Sequence, residues 1–501
     1  MALSWLLLFP VGVLGGLSAW AYRGPAFRPR GLRRALPWAG AGLLAMSLLE
    51  VASLALFGPA RVEVMLLGLP WVLGIDGLGS AFGALLAMLA WALLRFTAVH
   101  LDGELREGPF VGALLLALAA GWVLAHGQSW APILVALAVQ GWAVAQLLGH
   151  YGERAAARRQ AQRFQHLWWL GDGVLWAAAF LLLRAPVLPW GLEAEALAAL
   201  LLGLAAMMKA ALLPFHRWLT EALDVPVPVS ALFHAGVISA GVLVLLRHAP
   251  LLAQHPEVLL LLGSVGAVSV LGGLVLMAVQ GTVKQSLAFS TVNQMGLLMV
   301  QLSLQLWPLA LFHVLSHGLY KAHGFLKAGS AVAPPAAPSK SAGSSAWVGG
   351  ALAVHLLGYG ALVVAMPWLH PGAQALSPGA LGLGAFLAAA LGARCGGLLR
   401  RAPGRDDRRL LGALSLLLLP LFLLTHEVAY HLWGPYFPAW SAPSLALQGV
   451  LAVGAVLGGL VSVALALVDR WQHRPWAEAL RCRLVQGLPS LPRLLTERSA
   501  S

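Results

Sequence analysis

The chain has 501 residues, 59% of them hydrophobic and only 10% charged, with a mean hydropathy of +0.80. Apolar content on this scale, in repeated runs near twenty residues, excludes a water-soluble globular fold and points to a polytopic helical membrane protein. The formal net charge of +13 does not signal nucleic-acid binding, because the arginines gather in short segments between the apolar runs.

In chain order, candidate spans fall near 2–21, 36–57, 76–98, 109–127, 129–149, 167–184, 195–215 and 227–247, then 257–279, 284–304, 306–327, 346–367, 378–400, 410–426 and 443–468. The reading is an all-α polytopic membrane protein with about 14–15 transmembrane helices. The first run starts at Ala2 without a basic segment or a cleavage site, so it reads as a retained span rather than a signal peptide. Two distant cysteines, Cys395 and Cys482, argue against a disulfide framework or a cysteine metal site.

Basic residues between the spans set the expected orientation. Arg23 to Arg34, Arg154 to Arg163, Arg400 to Arg409 and the tail beyond Val468 all fall on one side if the span count is odd. The other side offers only Arg61, Arg184 and Arg247. The N-terminus is then outside and the C-terminus cytoplasmic, as in a multi-pass protein of a bacterial inner membrane. Segment 333–346 has the composition of a flexible linker.

Lysine is used differently from arginine. Only five of the 32 basic residues are lysines, and four of them, Lys209, Lys284, Lys321 and Lys327, lie in the mostly apolar stretch 205–330. Arginine keeps its proton in a protein, whereas a lysine can lose it. Ionisable groups inside spans mark ion or proton pathways by default.

Lys209 stands mid-span, just before Leu212-Leu213-Pro214. A proline there breaks the helix and frees backbone groups that water or a neighbour must satisfy. The competing reading of Lys209 is a side chain that snorkels to the interface. His313, His317 and Lys321 stand at i, i+4 and i+8 and form one helical stripe. The stripe fits a proton relay, three unrelated core residues, or part of a zinc site lacking an evident third ligand. Lys284 follows a Gln-Gly-Thr turn and is either interfacial or functional. His234 sits in an Ala/Gly-rich helix, where a satisfied core histidine is the alternative. Asp172 after Gly171 is either a helix-start residue or the carboxylate that tunes Lys209. No phosphate loop, dinucleotide fingerprint or nucleophile triad appears, and the chain is expected to hold no catalytic site of its own.

Over Lys209 to Ala328 the chain resembles the antiporter-like membrane subunits shared by respiratory complex I, Mrp-type sodium/proton antiporters and membrane hydrogenases. The residues that carry the resemblance are Lys209-Ala-Ala-Leu-Leu-Pro214, Trp218-Leu-Thr-Glu-Ala222, Pro226 to His234, Lys284 to Thr291, and Phe312-His313 through His317 to Lys321. The resemblance implies two inverted five-helix repeats, each with a broken central helix. It assigns Lys209 to the first broken helix, His234 to the next helix, and the stripe to the hydrophilic axis. The domains are then 1–108 (N-terminal helices), 109–247 (first repeat), 257–400 (degenerate second repeat containing the linker) and 401–501 (C-terminal helices and basic tail).

The chain departs from the conducting members of this family at several points. The fifth-span glutamate that pairs with the lysine falls at about Ala138, with Gln140 and Gln146 nearby. A sixth-span arginine is replaced by Trp169, the second repeat lacks its lysine, and His355 is the only ionisable residue in that span. Nothing matches the long C-terminal lateral helix of the largest complex I subunit. Length, arginine content and the His100-Leu-Asp-Gly-Glu104 segment are closer to shorter relatives such as the membrane subunit of the DAB complex. That likeness implies a cation-conducting subunit, for H⁺ or Na⁺, of a system that accumulates inorganic carbon as CO2 or bicarbonate. It also implies a large zinc-binding partner resembling a β-carbonic anhydrase, with no cofactor in this chain. The alternative is a proton-pumping subunit of a quinone oxidoreductase or an Mrp-type antiporter.

Overall fold

The structure is a computed structural model, and it describes residues 4–22, 30–104, 106–184, 193–222, 225–328, 428–438 and 444–468. Its first elements are helices α1 (Ser4–Ala21) and α2 (Arg30–Phe57), a hairpin of β1 (Ala60–Leu66) and β2 (Leu69–Ile75), α3 (Gly77–His100), α4 (Glu107–His126) and α5 (Trp130–Leu148). Next come α6 (Ala155–Arg184), α7 (Ala194–Lys209), the short α8 (Arg217–Thr220), α9 (Val227–Leu232), a π-helical turn at Phe233–Val237, and α10 (Ser239–Arg247). The series continues with α11 (Ala249–Ala253), α12 (Pro256–Val279), α13 (Val283–Ser303), α14 (Trp307–Lys327) and α15 (Leu445–Val468). Among the described residues, seven segments are long and apolar enough to cross a membrane, the interrupted one at 227–247 included. The expected spans at 346–367, 378–400 and 410–426, with the linker and His355, lie outside the described residues.

The chain divides into two compact units. One holds residues 1–269, 294–333 and 424–447; the other holds 270–293, 334–423 and 448–501. Within the first unit α1 packs on α4, α2 on α3, α4 on α5 and α6 on α7. The faces of α3, α4 and α10 toward this core are almost continuously buried, while α2 and α6 expose large apolar side chains such as Trp38, Leu56, Phe180 and Leu183. That is the pattern of helices facing lipid on one side and protein on the other. Small residues set the closest approach: a Cβ on Gly241 would fall 2.6 Å from the Ala206 carbonyl oxygen, so α10 lies directly against α7.

The structure adds two local features to the sequence reading. The stretch 60–75 forms an antiparallel hairpin in register from Ala60–Ile75 to Leu66–Leu69. Its two-residue turn, Leu67-Gly68, has positive φ at both positions, 53° and 75°, the backbone that matches strand twist. The arginine-rich segment 155–163, read as a loop, is the first part of α6. Its sequence, Ala-Ala-Ala-Arg-Arg-Gln-Ala-Gln-Arg, is built of strong helix formers.

The first unit is ion-paired at both ends. Arg33 binds both Asp102 and Glu107, and Arg163 binds Glu221. At the opposite end Arg247 pairs with Asp76 and donates to the Ala125 carbonyl oxygen at 2.7 Å. Gln128 also donates to Asp76, at 2.8 Å, and Asp76 caps α3 through the Gly79 N–H at 2.6 Å.

Candidate functional site

The site is built on the break after α7. The helix ends in two bonds that reach back into its last turn: the Ala211 N–H donates to the Met208 carbonyl oxygen at 3.3 Å and the Leu212 N–H to that of Met207 at 3.1 Å. Ala211 takes φ +50°, the left-handed position usually filled by glycine at a helix C-terminus. Two side chains satisfy groups that the break leaves open. Ser269 of α12 accepts from the Leu213 N–H at 3.1 Å, and the Trp218 indole donates to the Met208 carbonyl oxygen at 3.1 Å. Lys209 is therefore the last residue of a rigidly terminated helix, where the negative end of the helix dipole favours a cation.

The lysine is fully buried. Its Nζ donates to Asp172 Oδ1 on α6 at 2.6 Å and lies 3.8 Å from the centre of the Trp168 ring. Asp172 thus stands as the counter-charge rather than as a helix-start residue, since it lies well inside α6. Its Oδ2 is buried and finds no hydrogen-bond partner among the described residues. Trp168 is fixed by an indole bond to the Leu137 carbonyl oxygen, 3.0 Å away on α5, and sits against Gly141, where no larger residue would leave it room. A cation over a desolvated indole gains about 2 kcal/mol or more. Breaking a buried ion pair by removing one partner costs about 3–5 kcal/mol.

This arrangement explains the departures read from the sequence. Ala138, matched to the missing glutamate, is exposed, and so is Gln146, while Gln140 turns inward. The face of α5 toward Lys209 is taken by the Trp168 ring. Trp169, at the position of the family's arginine, is half exposed and points away. Lys209 snorkels nowhere, because its ammonium is sealed by Asp172 and Trp168.

His234 lies on the π-helical turn and is fully buried, its ring stacked on Phe325 of α14 at 4.2 Å. A π-turn in a helix is a frequent feature of functional sites. Phe164, Trp168, Trp218 and Phe233 form an aromatic wall with centroid separations of 5.1–6.1 Å. That wall links the Lys209 pocket to the neighbour of His234.

On α14 the stripe is continuous. His313 and His317 have ring centroids 6.4 Å apart, and Lys321 is fully buried one turn further on. Lys321, His313 and His234 are all within electrostatic reach of His317, so the structure gathers four of the seven candidate residues around one helix face. His313 lies between Gln301 and Gln294, with Nδ1 and Nε2 at 2.8 and 2.9 Å from their amide oxygens. An imidazolium donates to both oxygens. A neutral ring requires one glutamine to turn its NH2 group toward it. The clamp therefore accepts either protonation state. Among the described residues, neither nitrogen of His317 has a hydrogen-bond partner, although the ring is buried. No group of three His, Cys, Asp or Glu side chains among the described residues is placed to hold a metal ion.

Lys284 is set apart. It is half buried at the second position of α13 and belongs to the second unit. One buried pair was not found from sequence: Glu50 of α2 and His126 of α4, whose Oε2 and Nε2 are 3.1 Å apart. Glu50 lies inside α2 and His126 is the last residue of α4, and only tertiary packing brings them together.

Residues 189–346 match the family model described as NADH:quinone oxidoreductase/Mrp antiporter, transmembrane. The broken helix and the buried Lys209 both lie within this matched stretch, over which the chain is similar to that family. Over 350 residues the chain is 33% identical to a protein of Halothiobacillus neapolitanus named probable inorganic carbon transporter subunit DabB2. That match takes in 65% of this chain and 62% of the relative, so the chain spans less than two thirds of the relative's length. Two solved structures share the fold, each with a TM-score of 0.58. One is the Mrp complex from Dietzia sp. DQ12-45-1b, 22% identical, with 92% of this chain and 52% of that chain covered. The other is the archaeal membrane-bound sulfane sulfur reductase, 15% identical, with 95% and 96% covered.

Proposed function

We propose that this chain is the cation-conducting membrane subunit, for H⁺ or Na⁺, of an energy-coupled complex that accumulates inorganic carbon in bacteria. The observation that carries the reading is the buried Lys209–Asp172 pair at the broken helix, which places an ionisable cation and its counter-charge where the helix is interrupted. The relative's name supplies the substrate class. In this reading Lys209, His234, Lys284, His313, His317, Lys321 and Asp172 belong to the conducting route. The chain conducts and couples; the hydration of CO2 belongs to a large zinc-binding, β-carbonic-anhydrase-like partner. The complex lies in the inner membrane with the N-terminus outside and the C-terminus in the cytoplasm, the orientation that puts most loop arginines inside.

The test is co-expression in a carbonic-anhydrase-deficient host grown at low CO2. Growth is expected only when both polypeptides are present, and it is lost when an ionophore collapses the cation gradient. Full rescue by this chain alone would contradict the reading. The family model also names quinone oxidoreductases, and co-purification with quinone-reducing subunits would favour that second reading.

A further inference from the structure

We propose that Glu50 and His126 form a second proton-binding site, one outside the broken-helix array. The argument is a count of hydrogens. His126 Nδ1 lies 2.9 Å from the Trp122 carbonyl oxygen, which can only accept, so Nδ1 carries a proton. Nε2 lies 3.1 Å from Glu50 Oε2. If Nε2 has no hydrogen, the carboxyl must donate to it; if it has one, the ring is an imidazolium donating to a carboxylate. Either way the pair holds one proton more than a neutral histidine beside an ionised glutamate. Releasing that proton to water leaves the carboxylate facing a lone pair. Alternatively the ring moves its remaining proton from Nδ1 to Nε2 and gives up the Trp122 bond.

The surroundings fit a site that exchanges protons. Both side chains are essentially inaccessible, at 0% and 1% exposure, yet Glu50 Oε1 finds no hydrogen-bond partner among the described residues. Gly83 of α3 makes room for the pair: a Cβ there would lie 3.0 Å from His126 Cε1 and 3.5 Å from Glu50 Oε2. The charged groups nearest this end of the surrounding helices are Asp76, preceding α3, and Arg247 of α10, which neutralise each other. Helix α1 has no titratable side chain, and α3 and α4 carry Arg95, His100 and Glu107 toward the other end.

Phe82 and Ala125, the chain neighbours of Gly83 and His126, open onto a cavity of about 40 Å³. The cavity reaches Gln140 and Ser239, and Gly236 two residues beyond His234. It has room for a water, whose share of liquid volume is about 30 Å³. Gln140 Oε1 is buried and has no hydrogen-bond partner among the described residues, so it can hold that water. The dyad thus lies next to residues that line a gap able to hold a water and reaching Gly236 on the π-turn that carries His234. Its binding of a proton stands by itself, but its place on a conducting route rests on the function proposed above.

The experiment is pH-dependent infrared difference spectroscopy of the full chain, assembled with its partner subunits in lipid vesicles. A paired carboxyl and imidazole signal is expected to titrate in one step, and both components should vanish together in Glu50→Gln and in His126→Gln. In Gly83→Ala, which keeps both groups but crowds them, the paired signal should shift. If the single variants do not assemble, the wild-type and Gly83→Ala spectra decide alone. Gradient-driven uptake is measured in parallel: each single variant should lose most of it, and the double variant no more than either. Carboxyl and imidazole bands that titrate independently, or that survive both substitutions, overturn the proposal. Lys209→Arg serves as the control. It is expected to stop uptake while leaving the dyad signal intact, so failure of the functional reading and failure of this site are told apart.

Discussion

Lys209 and Asp172 show which residue-scale properties were legible. A lysine in a chain that otherwise uses arginine, placed mid-span before a proline, is readable from the residues alone, and so is a lone aspartate after a glycine in the preceding span. The role of Trp168 was not readable, because two adjacent tryptophans offer no sequence cue to which indole faces the ammonium. Glu50 and His126 were missed for a related reason: they are 76 residues apart, and each looks like an isolated polar residue in an apolar run. Outside the spans, His248 gives a pH test. Its ring stacks on Trp130 at 4.4 Å and donates from Nδ1 to the Val244 carbonyl oxygen at 2.9 Å. Burial is the largest cause that lowers its pKa, to about 4 from 6.5. The depressed value means the fold favours the neutral ring. Its contribution to stability is present above about pH 6.5 and is lost as pH falls toward 4, because the unfolded chain takes up the proton first. Thermal melts of the purified protein should therefore fall through that window, and His248→Phe, which keeps the stack, should flatten that part of the profile.

At the scale of elements, the breaks govern what the helices can do. The break after α7 was expected from Pro214, but its form was not, since Ala211 occupies a left-handed position where the sequence offers no glycine. Such a conformation costs a residue with a Cβ about 1–2 kcal/mol. Ala211→Gly is expected to raise stability by about 1 kcal/mol while leaving uptake intact. Ala211→Val should lower both. A melting-temperature comparison at equal detergent concentration checks the pair. The hairpin at 60–75 escaped notice because Leu67-Gly68 is not one of the strong turn dipeptides, and its Val-Glu-Val alternation is brief. The π-turn carrying His234 has no signature in the residues. The α14 stripe was legible, because i, i+4, i+8 spacing fixes one face whatever the neighbours. If His313, His317 and Lys321 act as one relay, single alanine variants should each remove most gradient-dependent uptake and double variants should lose no more. Mild losses that add would show independent packing roles instead.

For the whole molecule, the first unit is a helix bundle closed by ion pairs at both ends, with buried titratable groups between them. Membrane class, helix succession and the shared face of His313, His317 and Lys321 followed from hydropathy and spacing, because a bilayer forces the chain to satisfy its backbone within helices. What hydropathy could not supply was pairing between spans, which depends on how helices rotate against one another. The central claim is that Lys209 works by releasing and regaining a proton while Asp172 tunes it, and the charge-preserving change Lys209→Arg tests it most directly. The measurement is accumulation of labelled inorganic carbon by cells that express the full complex, with membrane insertion and partner binding checked in parallel. The account predicts background accumulation for Lys209→Arg and Lys209→Met, and impaired accumulation for Asp172→Asn, all in assembled complexes. Wild-type accumulation by an assembled Lys209→Arg complex would show that the lysine is only a structural cation and would contradict the account.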